Sequence, residues 1–394
     1  QVPRYHAREV AVHRAEVEDA SVVLGSATPS MEAMYRARFG EYQLYEMKNR
    51  SHMLQMATVY TVDMRKELKN GNRSILSEKL QELIEDRLNA KEQIMLFLNR
   101  RGYSGFISCR ECGHVVKCPH CNVSLSVPKG GKMVCHYCGY EQQKVTACPE
   151  CGSRYIGEFR AGTQQIEDMV KARFPQARVL RMDMDTTKKK DSHEQILSAF
   201  ANEEADILVG TQMIVKGHDF PGVTLVGILA ADLSLNTPDY RSAERTFQLL
   251  TQAAGRAGRA GKPGDVVIQT YRPEHYAVQA AAAQNYELFY SHEINYRRLL
   301  RYPPVCQMAA VYFACGDEVV LDKCAEMAAR RLRESAECIG PVPAPVYKVN
   351  DIYRKILYIK QENYDILIHI RKMEEQRLKE AQGLESVIFQ SDLT

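Results

Sequence analysis

The sequence predicts an α/β protein: a mostly parallel sheet covered by helices, interrupted by a cysteine-rich insertion and followed by a small α+β C-terminal domain. Three observations carry this. From about residue 76 to 272, short apolar runs alternate with segments whose apolar positions recur at helical spacing, the pattern of parallel strands with helical crossovers. Eight of the 12 cysteines fall in Cys-x-x-Cys pairs between residues 109 and 151, after the first of those runs. Past about residue 275 the alternation gives way to an alanine-rich helical stretch and a proline-punctuated tail.

Taken in order, "ASVVLGSATPS" (20–30) reads as a strand ending in a polar loop. "SMEAMYRARFG" (30–40) reads as a helix stopped by Gly40, with Thr28 or Ser30 able to cap it. Residues 1–47 are too few for a full lobe and read as the tail of a preceding one, with 48–75 a connector that is turn-rich at "LKNGNRS". The central domain takes 76–108 and 152–275. Its strands are "IMLFL" (94–98), "RVLRM" (178–182), "DILVG" (206–210), "TLVGIL" (224–229) and "DVVIQT" (265–270). Between them lie helices at 163–174, 192–202 and 239–255, the last with Pro238 near its first turn. A helical linker spans 276–300. The C-terminal domain, 301–394, has strands at 309–315, 346–351 and 353–360 around a helix at 318–337, and "GPVPAP" (340–345) reads as a turn.

A net charge of +3 and a pI near 8.2 permit nucleic acid as a partner without requiring it. No run of about 18 apolar residues and no signal peptide is visible, so the expected location is cytoplasmic, with no membrane partner. The chain begins with Gln1, as a fragment or processed product would. Disulfide scaffolds are small and secreted, whereas these cysteine pairs interrupt a large α/β pattern; metal is the better reading. Cys306, Cys315, Cys324 and Cys338 lack such spacing and read as small packing residues.

The pairs in the insertion, 109–151, are Cys109/Cys112, Cys118/Cys121, Cys135/Cys138 and Cys148/Cys151. Each turn offers two thiolates to one edge of a metal, and two turns complete a tetrahedral zinc site. Eight thiolates suit two Zn²⁺. The loop between the first two pairs is tight for one shared ion, while the loop between the second and third is a comfortable ribbon. Nested sites follow: Cys118/Cys121/Cys135/Cys138 inside, Cys109/Cys112/Cys148/Cys151 outside. His114, His120 and His136 are not needed as ligands. Four thiolates leave no open position, so the zinc is a folding staple rather than a catalyst.

In "TQAAGRAGRAGKPGD" (251–265), Arg256 and Arg259 stand three apart among small residues, a spacing that suits the spread charge of a transferring phosphoryl group. A Gly/Arg loop on a solvated surface would look the same. In "ILVGTQMIVKGHDFPGVTLVGILAAD" (207–232), Thr211 and Gln212 follow a strand, where an open parallel sheet places ligand groups. Hydroxyl, amide and loop N–H groups there can hold backbone phosphates. Lys216, His218 and Asp219 share that loop, although His218 and Asp219 could simply cap a turn. Arg100 and Arg101, in "NRRGYS" (99–104), are either solvated or phosphate contacts.

Together these segments resemble superfamily II helicases, and more closely the bacterial replication-restart helicase family. "VLGSATPS" resembles the motif coupling two motor lobes. "LFLNRRGYSGF", "VGTQMIVKGHDFPGVTLV" and "RSAERTFQLLTQAAGRAGR" resemble the motifs IV, V and VI of the second lobe. The eight-cysteine insertion after "NRRGYS", and "PRYHAREVAVHRA" near the start, are the distinctive parts. The resemblance implies a RecA-like helicase lobe preceded by the tail of another. It also implies an ATP-dependent 3′→5′ DNA helicase acting at stalled or branched forks, with ATP and Mg²⁺ bound by the full-length protein.

On this resemblance Arg256 and Arg259 are catalytic, with Gln252 and Gly255 beside them in the nucleotide-binding motif. Thr211, Gln212, Lys216, Arg100 and Arg101 are the expected DNA contacts. Implied partners are branched and single-stranded DNA, primosome assembly proteins, the single-stranded DNA-binding protein and the loader of the replicative helicase. The sequence contains no G-x-x-x-x-G-K-[ST] loop and no acidic Mg²⁺ box, both expected upstream, so this chain alone should not hydrolyse ATP. Two rival readings are a zinc-stapled adaptor that binds DNA or protein, and another superfamily II translocase of repair.

Overall fold

The computed structural model describes residues 6–47, 56–98, 106–121, 123–127, 132–158, 162–183, 185–187, 191–215, 220–237, 239–258, 262–381 and 386–393. The chain divides into two compact units, one of residues 1–44, 137–139 and 296–394, the other of 45–136 and 140–295.

At the start of the first unit, α1 (Ala7–Glu18) buries none of its residues, and α2 (Met31–Arg38) buries Met31 and Met34. Ser30 caps α2 by accepting from the Ala33 N–H at 3.2 Å, and Gly40 follows the helix at φ +82°. The strand expected in 20–30 does not form; Val23 is 92% exposed. A strand needs a neighbour for its N–H and C=O groups, and no described strand pairs with this stretch.

The second unit is built on a six-stranded sheet. Its early elements are β1 (Thr58–Asp63), α3 (Met64–Lys69), α4 (Glu78–Asn89) and β2 (Gln93–Leu98). Four short strands belong to the cysteine-rich insertion: β3 (Ile107–Cys109), β4 (Lys132–Val134), β5 (Glu141–Gln143) and β6 (Ile156–Glu158). The sheet resumes with α5 (Thr163–Arg173), β7 (Val179–Met182), α6 (Ser192–Ala201), β8 (Ile207–Gly210), α7 (Gln212–Val215) and β9 (Val223–Leu229). It finishes with α8 (Asp232–Leu235), α9 (Ser242–Ala254), β10 (Asp265–Thr270), α10 (Tyr276–Ala282) and α11 (Tyr286–Leu300).

The strand order is β1-β10-β9-β2-β8-β7, all parallel. Every residue of β2 and β9 is buried, as expected when helices cover both faces of a parallel sheet. On one face Ile94, Leu96 and Leu98 pack with Leu80 and Ile84 of α4, Ile166 and Val170 of α5 and Phe174 just past it. Gly227 lies where α4 crosses β9; a Cβ there would come within 2.9 Å of Leu80 and Leu96. β1 falls in the stretch expected to be a connector. It is an edge strand, half-exposed along its length, so it lacks the apolar run that marks the central strands.

The insertion leaves the sheet after β2, and the antiparallel pair β3–β6 closes its neck. β4 and β5 form a second small hairpin inside it.

The remainder of the first unit is an antiparallel sheet in the order β12-β13-β11-β14, formed by β11 (Gln307–Cys315), β12 (Glu337–Val349), β13 (Ile352–Gln361) and β14 (Ile388–Leu393). Two helices, α12 (Glu318–Leu332) and α13 (Tyr364–Glu380), pack on it through Leu321, Cys324, Ala328, Leu367 and Leu378. "GPVPAP" is not a turn: β12 runs through it, with register shifts between Ile339 and Val342 and between Pro343 and Lys348. Prolines lack an N–H for the ladder, and β12 tolerates them because it is an edge strand with irregular pairing.

Candidate metal centre and nucleic-acid interface

All four Cys-x-x-Cys turns are the same hairpin. In each, the N–H of the first cysteine donates to the carbonyl five residues on: Cys109 to His114, Cys118 to Val123, Cys135 to Tyr140 and Cys148 to Ser153, each at 2.8 Å. Gly113, Gly139 and Gly152 follow the second cysteine of their turns at φ +78°, +76° and +72°. That left-handed conformation is open to glycine at little cost, so Cys-x-x-Cys-Gly encodes the turn itself.

The turns bring their sulfurs together in two sets, Cys109/Cys112/Cys148/Cys151 and Cys118/Cys121/Cys135/Cys138, each with all four sulfurs within 4.8 Å of one another. The sulfurs of Cys109 and Cys151 are 3.7 Å apart, and those of Cys112 and Cys148 3.6 Å. A tetrahedral zinc with Zn–S bonds of about 2.3 Å has an S···S edge of about 3.8 Å, whereas a disulfide is about 2.05 Å. The donor sets fit two zinc ions in the nested pairing that the loop lengths predict. Burial opposes ionisation of Cys148, yet the N–H groups of Cys151 and Glu150 donate to its sulfur and draw its pKa down. None of the three histidines joins a sulfur set. His136 faces the Ser126 hydroxyl at 2.5 Å, His120 packs edge-on to Tyr140, and His114 lies 4.0 Å from Glu150.

The outer sulfur set is seated on the carboxyl edge of the parallel sheet. A Cβ on Gly113 would sit 2.2 Å from the Tyr271 carbonyl oxygen, just past the end of β10. The Arg65 guanidinium, just past β1, donates to the Cys112 carbonyl at 3.3 Å. Asp63 holds that guanidinium through two bonds of 2.8 Å, and Glu274 pairs with it at 3.1 Å. The end of β9 is tied in as well. The buried carboxylate of Asp232 accepts from the Thr270 hydroxyl at 3.0 Å and the Tyr271 N–H at 2.9 Å.

Thr211 and Gln212 lie on this same carboxyl edge, at the end of β8, both half-buried. The tight turn there requires Gly210, where a Cβ would meet Ile214 at 2.5 Å and the Met182 carbonyl at 2.7 Å. Arg256 lies on the opposite edge. α9 runs back across the sheet and ends at Gly255, whose N–H donates to Thr251 at 3.0 Å, with Gln252 exposed in the last turn. Two residues beyond Arg256, the Gly258 N–H donates to the Val223 carbonyl at the start of β9, at 3.1 Å. Gly258, at φ +71°, packs so closely on Gly264 that a Cβ would lie 2.5 Å from its nitrogen. Thr211 and Arg256 are thus separated by the length of a strand, roughly 20 Å at about 3.3 Å per residue. Arg100, Arg101, Lys216, His218, Asp219 and Arg259 lie outside the described residues.

Sequence reasoning missed Arg65, which donates to the Cys112 carbonyl, Lys117 and Arg272, which line one cavity with Cys112, and Asp232, which holds Tyr271. They are scattered over more than two hundred positions and belong to no spaced motif; the one available signal was that Asp232 and Arg272 follow predicted strands.

Three family models match the chain: the helicase conserved C-terminal domain over residues 156–261, the PriA DNA helicase Cys-rich region domain over 118–143, and the primosomal protein N C-terminal domain over 298–392. The chain is 47% identical over 390 residues to the replication restart protein PriA of Bacillus subtilis (strain 168), covering 96% of this chain and 48% of that protein. It is 43% identical over 375 residues to the PriA of Synechocystis sp. (strain ATCC 27184 / PCC 6803 / Kazusa), covering 92% and 45%. A solved structure of S. cerevisiae Dbp5 bound to RNA and ADP BeF3 aligns over 76% of this chain and 60% of its own, at 11% identity and a TM-score of 0.37, too remote to carry an argument. The chain spans about half the length of the curated relatives it matches. Matching helicase, Cys-rich and C-terminal models in one chain, and 47% identical to a PriA protein in an alignment that covers 96% of it, the chain belongs to the PriA family of replication restart proteins.

Proposed function

We propose that this chain is the part of an ATP-driven 3′→5′ DNA helicase that carries the second motor lobe, its zinc insertion and the small C-terminal domain. The whole protein would act in the cytoplasm on branched DNA at stalled forks. The observation that carries the reading is the 47% identity over 390 residues, an alignment that covers 96% of this chain. A repair translocase of another family would share the lobe without the nested cysteine sets.

In this reading ATP supplies the phosphoryl group whose hydrolysis drives translocation. Arg256 and Arg259 stabilise the charge that spreads over its oxygens in the transition state. Gln252 and Gly255 shape the end of α9 that presents them. Thr211, Gln212, Lys216, Arg100 and Arg101 hold phosphates of the tracked strand at the carboxyl edge. The two edges of the sheet then have different tasks, nucleotide on one and DNA on the other, and a rigid sheet couples them. The sequence holds no phosphate-cradling glycine-rich loop and no acidic Mg²⁺ box, so these residues alone do not turn over ATP. The zinc sites stiffen the insertion for unwinding and for docking primosome assembly proteins. The C-terminal domain meets branched DNA and the single-stranded DNA-binding protein, and the loader of the replicative helicase follows.

Strand-displacement assays on the full-length protein test this. Partial duplexes with a 3′ single-stranded tail on the tracked strand should be unwound with ATP, and those with only a 5′ tail should not. Equal unwinding of both, or none of either, would sink the reading.

A further inference from the structure

The loop that carries Arg256 and Arg259 leaves α9 at Gly255 and returns to the sheet at the first residue of β10, Asp265. Each of its stems is tied to the start of a parallel strand. On the outgoing stem the Gly258 N–H donates to the Val223 carbonyl at 3.1 Å; on the returning stem the Gly264 carbonyl accepts from the Thr58 N–H at 2.9 Å. Side chains beside these ties converge on one half-buried carboxylate, Glu92, immediately before β2. Its Oε2 accepts from the Thr224 hydroxyl at 2.7 Å, one residue past Val223. Its Oε1 lies 3.6 Å from the Lys262 ammonium, two residues before Gly264. Arg87, in the last turn of α4, pairs with Glu92 at 3.4 Å and with Asp265. Asp265, Arg87, Glu92 and Lys262 thus alternate in charge along one chain of contacts, which offsets the cost of holding three of them partly out of water.

We propose that Glu92 is a positioning residue for the arginine loop: one oxygen holds the start of β9, the other holds the returning stem through Lys262, and the loop is presented to a nucleotide phosphate already aligned. The inference rests on the phosphoryl-transfer reading of Arg256 and Arg259. Glu92 itself does not touch the nucleotide. A group that stabilises transition-state charge acts only from the right place, and a displacement of about 1 Å can cost about 10²-fold in rate. Lys262 is exposed, and an exposed ion pair contributes little to stability, so its effect belongs in turnover rather than in melting. The competing role for Glu92 is local. It follows Lys91, at φ +57°, and its N–H donates to the Arg87 carbonyl at 2.9 Å, so its pair with Arg87 would simply close the turn between α4 and β2.

The test uses the full-length, zinc-loaded protein and its DNA-stimulated ATPase, with kcat and the KM for ATP measured separately and thermal melting beside them. Glu92→Gln and Lys262→Gln should each lower kcat about threefold to tenfold and leave KM within about twofold, the split expected when only transition-state contacts are disturbed. Melting of Lys262→Gln should match the parent, and Lys262→Arg, which keeps the charge, should keep the parental kcat. The double variant Glu92→Gln/Lys262→Gln should lose no more than Glu92→Gln alone, as two groups acting through one contact do. Parental kcat in Lys262→Gln would overturn the proposal, as would losses that multiply in the double variant. Lost turnover and lowered melting in Glu92→Gln, with Lys262→Gln unaffected, would assign Glu92 to the turn instead. Arg259→Ala is the parallel arm. If it loses turnover while Lys262→Gln keeps it, only this inference fails; if Arg259→Ala and Arg256→Ala both keep full turnover, the phosphoryl-transfer reading fails with it.

Discussion

At the scale of single residues, a few positions connect the cysteine-rich insertion to the parallel-sheet lobe. Gly113 serves two purposes at once, adopting φ +78° and allowing the Tyr271 carbonyl to approach where a Cβ would be. Gly113→Ala should cost about 2–4 kcal/mol, through left-handed strain and a forced backbone shift, and should speed zinc loss to a chelator. Denaturation and chelation kinetics of the variant check this; wild-type behaviour in both would show that the hairpin does not press on the sheet. Asp232 makes a pH prediction. Burial raises its carboxyl above the ordinary value of 3.8. Between 3.8 and that raised value the folded chain holds more protons than the unfolded one, so stability falls as the pH rises through this window. Asp232→Asn removes that contribution, and the variant should gain on the parent as the pH climbs. Urea denaturation across a pH series would show the difference; a constant offset between the two proteins would contradict it.

At the scale of elements, the two cysteine sets are separate closures. Each has its own pair of hairpins and its own four sulfurs. Cys118→Ser should therefore lower the metal content from two zinc ions per chain to about one, with the outer site intact, as elemental analysis can measure. Loss of both ions would mean the sites fold as one unit. This nesting was legible because loop length decides which hairpins can share an ion. The central strands were legible for a related reason: β2, β8 and β9 are buried throughout and so are written as continuous apolar runs. β1 and β12 were not, because edge strands have mixed exposure, and β12 also carries prolines that read as a turn. The apolar residues 20–24 misled in the other direction, since composition alone supplies no strand partner.

At the scale of the whole chain, the motifs were readable and their mutual placement was not. Arg256 and Thr211 are 45 residues apart, yet the sheet puts them on opposite edges, a consequence of α9 running antiparallel to the strands. Lys117 and Arg272 are 155 residues apart and share a cavity. Sequence spacing carries neither relation; the path of the chain through the sheet does. The division of labour proposed for the two edges, nucleotide beside α9's end and DNA beside the loop after β8, is the central claim. It is tested most directly by the DNA-stimulated ATPase rate of the full-length protein, comparing Arg256→Ala and Arg259→Ala with the parent under saturating DNA. The arginine variants should lose about 10³-fold or more in rate while still binding DNA. Full turnover in both arginine variants, or loss of DNA binding with the turnover in them, would contradict it.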